Sequence, residues 1–361
     1  MNVVVLDKAH FPRHKVCAGW ITPPIVDELE LDLGDYQTSR ILQPITRFLT
    51  GVIDGPEIET VYGQNVSYGI RRCEFDDYLL RRSGATLRLG EPFRTMQRDG
   101  GDWIVNETIR TPIIIGAGGH FCPVARSLAA ASGTGSTSDA PSSTSVTELP
   151  VVLAQEVEFE MTESQRKSCA IEHDRPELFF CPDLKGYGWV FRKHDYLNVG
   201  LGREGEEHLS THVADFVQFL ARRQKVAFDL PGRFHGHAYR LRTRLSSGSA
   251  AEGVLLIGDA LGLADRQSGE GIRPSIESGL MAAKCILEAG GARRSELSEL
   301  YAEKLRARFG ERTDGTSAAN WLPASFRQFA ARRLMASRWF TRRFLLDRWF
   351  LHIDAPPLIG V

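Results

Sequence analysis

The stretch Gly258-Asp259-Ala260-Leu261-Gly262, continued by Gln267-Ser268-Gly269-Glu270-Gly271-Ile272, decides how this 361-residue chain is read. It follows Val254-Leu255-Leu256-Ile257, an all-apolar run suited to a parallel strand buried on both faces. A strand that ends in Gly-Asp, then passes through small residues to a Gly-x-Gly helix start, lets backbone approach an extended ligand closely. The Asp259 carboxylate can accept hydrogen bonds from ligand hydroxyls. Amides at the start of the following helix, read over about 271–289, can face an anionic or electron-rich group.

Working outward, Ile113-Ile114-Ile115-Gly116-Ala117-Gly118-Gly119 reads as a second buried strand entering a glycine turn. Val3 to Leu6, ending at Asp7, reads as a third strand buried on both faces. A helix is predicted over 22–33, with Thr22 as N-cap and Pro23 in the first turn. Antiparallel strands are expected over 45–69, a helix over 74–82 and a hairpin over 86–109. Residues 132–147 are almost all Ser, Thr, Gly, Ala and Pro, a composition expected of a flexible loop. Strands return over 151–244 around one helix at about 207–224, and a further helix is expected over 296–309.

Composition narrows the function. With 42% hydrophobic and 25% charged residues the chain is globular and long enough for two domains. Its 44 basic residues balance 45 acidic ones, so nothing global favours nucleic acid, although 36 of the basic residues are Arg and only 8 are Lys. No apolar run approaches the roughly 18–20 residues of a membrane-spanning helix. The six cysteines show no Cys-x-x-Cys pair and the histidines no ligand spacing, so reduced thiols, a cytoplasmic location and no metal are expected.

The Gly258–Ile272 string resembles the Gly-Asp-Ala motif of FAD-dependent oxidoreductases of the para-hydroxybenzoate hydroxylase fold, most closely the geranylgeranyl reductase group. Three more segments are similar to that group in the same order: Phe11-Pro12-Arg13-x-Lys15-x-Cys17, Arg72-x-x-Phe75-Asp76-x-x-Leu79, and Tyr187-Gly188-Trp189-Val190-Phe191 followed by Asn198-Val199-Gly200-Leu201-Gly202. The resemblance spans about residues 3–290 and implies an α/β (α+β) chain. A Rossmann-like FAD-binding domain (1–44, 70–131 and 245–310) would be interleaved with an antiparallel-sheet substrate domain (45–69 and 148–244), with a helical C-terminal region over 311–361. It implies that Asp259 contacts the ribityl chain of FAD, that Gly269, Glu270, Gly271 and Ile272 flank the flavin ring, and that Gly258, Asp7, Lys8, Arg13, Lys15, Arg72, Gly116 and Gly118 complete the cofactor site, with Arg71 beside Arg72.

Three departures stand out. Gly116-Ala117-Gly118-Gly119 replaces the group's Gly-Ala-Asp-Gly; Arg192 and Arg266 replace prolines; and no Gly-x-Gly-x-x-Gly fingerprint is read in the chain. Asp7 stands where the dinucleotide fold places its ribose-binding acid, about 20 residues beyond that fingerprint. The expectation is therefore that about 30 residues of the familiar unit precede Met1, forming a strand between the Val3 and Ile113 strands, and that the chain as written binds FAD weakly or not at all.

In such enzymes the flavin carries the chemistry and the protein supplies position, electrostatics and water exclusion. Tyr187, Trp189 and Phe191 alternate along one strand face and can wall an apolar pocket, and the resemblance gives Tyr187, Trp189 and Cys17 catalytic roles beside the flavin. The expected function is hydride transfer from reduced FAD to an apolar, prenyl-like substrate, with NAD(P)H or a reduced redox protein as electron donor. The alternatives are a flavin monooxygenase or halogenase-like enzyme of the same fold, and an inactive binding protein. From Arg327 to Arg348 seven Arg interleave with Phe, Leu and Trp, so residues 321–351 are a candidate for peripheral contact with the inner face of a membrane.

Overall fold

A computed structural model describes residues 1–131, 151–205, 208–242, 250–290, 294–310, 330 and 332–357. The strands up to residue 120 are β1 Val4–Asp7, β2 Trp20–Ile21, β3 Leu42–Ile45, β4 Arg47–Val52, β5 Glu57–Val61, β6 Ser67–Ile70, β7 Thr86–Leu89, β8 Met96–Asp99, β9 Asp102–Val105, β10 Ile109–Thr111 and β11 Ile114–Gly116. Beyond them lie β12 Val151–Glu160, β13 Glu177–Phe180, β14 Gly186–Lys193, β15 Tyr196–Glu204, β16 His235–Arg240, β17 Ala250–Ala251 and β18 Val254–Leu256. The helices are α1 Pro23–Glu28, α2 Leu33–Gln37, α3 Arg72–Arg82, α4 Pro123–Ala131, α5 Glu163–Ser168, α6 Leu209–Arg222, α7 Ile272–Ala289, α8 Arg294–Phe309 and α9 Arg338–Phe340, the last running into a π-helical turn, Thr341–Phe350. The expected loop 132–147 and residues 311–329 of the tail lie outside the described residues.

Seven strands form the dominant sheet, in the order β16-β12-β15-β14-β13-β4-β5, antiparallel except where β13 meets β4. Period-two alternation divides its side chains between two cores. Phe179, Val190, Val199 and Leu201 face α6, which returns Val213, Phe216 and Phe219. On the opposite face Leu178, Trp189 and Phe191 meet Trp20, Phe48 and the tail residues Leu345, Leu346, Phe350 and Leu351. Gly188 sits where α6 presses hardest on the sheet: a Cβ there would lie 2.6 Å from the Phe216 ring. Gly188→Ala is expected to cost about 1–3 kcal/mol by overpacking, read as a lowered urea midpoint with unchanged m-value.

The Rossmann-like side is split. Among the described residues β1 pairs only with β7, in parallel, and β11 pairs only with β18, also in parallel. No pairing joins β1 to β11 among the described residues, yet Leu6 packs into the same apolar cluster as Ile114 and Leu256. α7 and α8 pack beneath β18 through Leu255, Met281, Tyr301 and Leu305.

Four expectations change. The Val3–Leu6 run is not buried on both faces: Val3 is 49% and Val4 36% exposed, and among the described residues one edge of β1 has no neighbouring strand. Residues 86–109 are not a single hairpin, since Thr86–Leu89 joins β1 in parallel while β8, β9 and β10 form a three-stranded antiparallel meander. The helix predicted over 22–33 breaks at Glu30, whose φ of 45° is left-handed, and Asp32 starts α2 by accepting from the Asp35 N–H at 3.0 Å. Lastly, Gly200-Leu201-Gly202-Arg203-Glu204-Gly205 does spell a glycine fingerprint. It lies mostly in β15, between two antiparallel neighbours, and opens no helix, so it cannot present amides to a pyrophosphate as that motif does.

Candidate functional site

The β18 strand ends at Leu256, and the chain turns through Gly258, whose φ of +57° is left-handed. A Cβ at Gly258 would lie 2.5 Å from Ser275 Oγ on α7, so glycine is needed for both conformation and space. Its N–H donates to Ser278 Oγ at 2.9 Å. This turn puts Asp259 against the start of α7, where the N-cap Gly271 gives no side-chain cap and a Cβ would come within 3.3 Å of Asp259 Oδ1.

The Asp259 carbonyl accepts from the Gly262 N–H at 3.1 Å, while its carboxylate makes no hydrogen bond among the described residues. Burial pushes its carboxyl above the usual range, with Lys15, Arg72 and His120 pulling the other way. Lys15 is brought from the loop after β1 and donates to His237 Nε2 at 2.8 Å. Burial, then the neighbouring Arg72, lowers the Lys15 ammonium below its ordinary value, and burial, followed by Lys15, pushes His237 down to about 4. A half-buried carboxylate without a hydrogen-bond partner among the described residues, near the cations Lys15 and Arg72 and an uncapped helix start, is a donor and acceptor set suited to a hydroxylated chain bearing negative charge. The ribityl and ring end of FAD fits these residues.

The other candidates fall in three groups. Arg72 lies with Lys15 and Asp259 and is braced by Asp76 at 2.8 and 3.1 Å. Asp7 accepts from the Ala9 N–H at 2.8 Å and lies 3.9 Å from Arg13, which also approaches Asp76. Arg13, Lys15, Arg71 and Glu158 line a groove of about 410 Å³. Lys8 is exposed and joins neither cluster. Gly116 and Gly118 serve packing, since a Cβ would lie 2.5 Å from Leu256 and 3.1 Å from Cys122 respectively.

The loop 265–271 is tightly built. Asp265 Oδ1 accepts from the N–H groups of Gln267 and Ser268 at 2.9 and 3.1 Å, and Gly269 adopts φ +71° beneath Tyr239. Glu270 lies 3.0 Å from His352 of the tail. Ile272, the first residue of α7, packs into the cluster of Ile21, Ile25 and Phe75.

Tyr187 joins this loop to the large sheet: its hydroxyl donates to the Ser268 carbonyl at 2.6 Å. Trp189 follows on the same face, ring centroids 6.1 Å apart, then Phe191, which stacks on Trp20. Tail residues Phe350 and Leu346 cover this aromatic wall. Cys17 lies in the loop between Lys15 and Gly19; its sulfur accepts from the Gly19 N–H and its carbonyl from Asn198.

Sequence reading missed the polar end of the wall. The stripe Tyr187, Trp189, Phe191 continues by the same alternation to Lys193, which is 1% exposed and donates to Glu158 at 2.9 Å. Glu156 and Glu158 share that face on β12, and Asn198 on β15 bridges them: its Oδ1 accepts from Trp189 Nε1 at 2.7 Å, and its amide reaches Glu156 and Glu158 at 3.2 and 3.4 Å. The readable signal was Glu156-x-Glu158-x-Glu160, three acids on one alternating face of β12.

Lys193 and Arg71 hold Glu158 below its usual value against the effect of burial. Burial pushes Glu156 up to about 8, so it keeps its proton at neutral pH. The native state thus holds a proton that the unfolded chain releases near pH 4.5, and this source of stability fades as pH rises from there toward 8. Glu156→Gln keeps an acceptor without the charge. It is expected to flatten that decline and to exceed the parent at pH 8.5 by on the order of 2–3 kcal/mol, measured by urea unfolding across pH 5–9.

No family model matches the chain. A menaquinone reductase of Mycobacterium tuberculosis is 26% identical over 326 residues, 86% of this chain and 75% of that protein. A digeranylgeranylglycerophospholipid reductase of Methanocaldococcus jannaschii is 23% identical over 269 residues, 69% of this chain and 64% of that one. In structure, a geranylgeranyl bacteriochlorophyll reductase-like protein of Thermoplasma acidophilum superposes with a TM-score of 0.67 at 18% identity, covering 93% of this chain and 81% of its own. The flavin-dependent brominase Bmp2 gives 0.67 at 14% identity, over 98% and 87%.

The fold is therefore that of the FAD-binding oxidoreductases of the para-hydroxybenzoate hydroxylase type. Among proteins of known sequence the chain is similar to ones named geranylgeranyl and menaquinone reductases, at 23–26% identity over 69–86% of its length.

Proposed function

We propose that the protein is an FAD-dependent oxidoreductase that reduces a carbon–carbon double bond of an apolar, prenyl-like substrate, with NAD(P)H or a reduced redox protein as electron donor. The observation that carries this reading is the Tyr187 hydroxyl bond to Ser268, which ties an apolar aromatic wall directly to the loop that ends at Asp259 and Gly271. When bound, FAD supplies hydride equivalents and accepts them again from the donor.

The chain's own residues bind, orient and exclude water. Asp259 accepts from ribityl hydroxyls, Lys15 and Arg72 offset negative charge on the cofactor, and the first amides of α7 face the ring's electron-rich end. Trp189 and Phe191 lie in the core beneath Leu346 and Phe350, 6% and 1% exposed, so of the stripe it is the half-buried Tyr187 that would meet an isoprene unit, with Trp189 and Phe191 backing it. Tyr187, fixed by its bond to Ser268, keeps its hydroxyl proton because burial pushes its pKa well above the ordinary value.

The test is anaerobic incubation of the full chain with FAD, dithionite and a prenyl lipid, followed by mass spectrometry. The reading requires a product gaining two hydrogens per double bond. A product that forms only in air and gains an oxygen atom would favour the monooxygenase reading, for which the shared fold with oxygen-using flavoproteins speaks. Replacing dithionite by NADPH and following flavin absorbance tests the donor.

A further inference from the structure

The tail that covers the aromatic wall has a second, outward face. Residues 332–357 contain six Arg and two Asp. Both acids are already engaged: Asp347 is buried and accepts from the Tyr62 hydroxyl at 2.7 Å, and Asp354 pairs with Arg343 at 3.1 Å. Arg338 and Arg348 are exposed and meet no acid among the described residues. Between these cations stand apolar side chains that a protein facing only water would bury: Trp339 is 67%, Ile353 54% and Leu334 48% exposed. Val61, whose carbonyl accepts from Arg342, adds another at 53%. Trp339, Phe344, Phe340 and Trp349 form one aromatic cluster, with successive ring centroids 5.3–6.0 Å apart.

We propose that this outward face of residues 332–353 is a docking surface for an anionic lipid bilayer. Guanidinium groups meet headgroup phosphates, while Trp339, Leu334 and Ile353 enter the boundary between headgroups and acyl chains. Nucleic acid would match the charge but leave the isolated aliphatic side chains in water. A bilayer satisfies both. The inner face of the same segment, Leu345, Leu346, Phe350 and Leu351, lies on Trp189 and Phe191. Docking therefore places the wall beside the phase in which prenyl chains dissolve. That last consequence rests on the proposed function; the docking itself does not.

The test uses the full chain without added flavin or substrate, so it reads docking alone. Sedimentation with vesicles of phosphatidylcholine, and of phosphatidylcholine mixed with phosphatidylglycerol, is expected to retain the protein on the mixed vesicles only, less at high salt, with tryptophan emission shifted to the blue. Arg338→Glu/Arg348→Glu is expected to weaken binding at least 25-fold, about fivefold for each positive charge lost. Trp339→Ala is expected to reduce both binding and the blue shift. These side chains are exposed, so thermal melts of the variants should match the parent and separate lost docking from lost folding. Equal recovery in the supernatant with both vesicle types would overturn the proposal, as would binding unaffected by the double charge reversal. Equally tight binding to a polyuridine strand would assign the face to nucleic acid instead.

Discussion

Lys193→Met is expected to lower stability by about 3–5 kcal/mol at pH 8, the usual effect of removing one partner from a buried ion pair. The lysine is 1% exposed, and its ammonium faces Glu158, which itself stands beside Glu156 under a single bridging Asn198. Without the ammonium, two buried carboxyls share one neutral amide, with Arg71 at 3.3 Å as the remaining cation on Glu158. Glu158 is then driven to take up a proton that the unfolded chain does not hold near neutrality. The native state of the variant binds the extra proton, so its stability falls as pH rises. The deficit should be largest at pH 8 and shrink toward pH 5, where both carboxyls are protonated. Urea unfolding followed by tryptophan fluorescence at the two pH values measures it. An equal deficit at both would show that Lys193 acts through packing of its stem rather than through charge.

Asp259→Ala is expected to weaken FAD binding by about 10–100-fold, the range for hydrogen bonds to a charged group. The free protein should lose little stability, because burial already disfavours this carboxylate and no hydrogen bond among the described residues depends on it. Titration calorimetry with FAD, together with a thermal melt of the flavin-free protein, separates the two effects. Unchanged affinity would mean that the cation cluster of Lys15 and Arg72 serves another ligand.

The two residues differ in how far sequence could reveal them. Asp259 was legible because its neighbours are glycines whose spacing has a local cause: a left-handed turn at Gly258 and an uncapped helix start at Gly271. Tyr187, Trp189 and Phe191 were legible as a face because a strand alternates with period two whatever its partners. Lys193 obeys the same alternation, yet a lysine at a strand end reads as solvated. Its burial depends on Glu158, contributed by β12 and held in place by the register that pairs Glu158 with Asn198. The Val3–Leu6 run shows the reverse error. Its composition suits a strand buried on both faces, but exposure depends on what lies alongside, and among the described residues β1 has a neighbouring strand on one edge only.

The sequence by itself determined the strand, turn and helix around Asp259, the aromatic stripe and the Arg-Trp character of the tail, because each follows from backbone geometry and side-chain type within a few residues. Only the tertiary structure decided that the tail lies over the stripe, that Tyr187 fastens the stripe to the 265–271 loop, and that Glu156 carries a proton while Glu158 does not. Those outcomes depend on desolvation and on charges brought together from β12, β14 and β15, and neither is a property of any one segment.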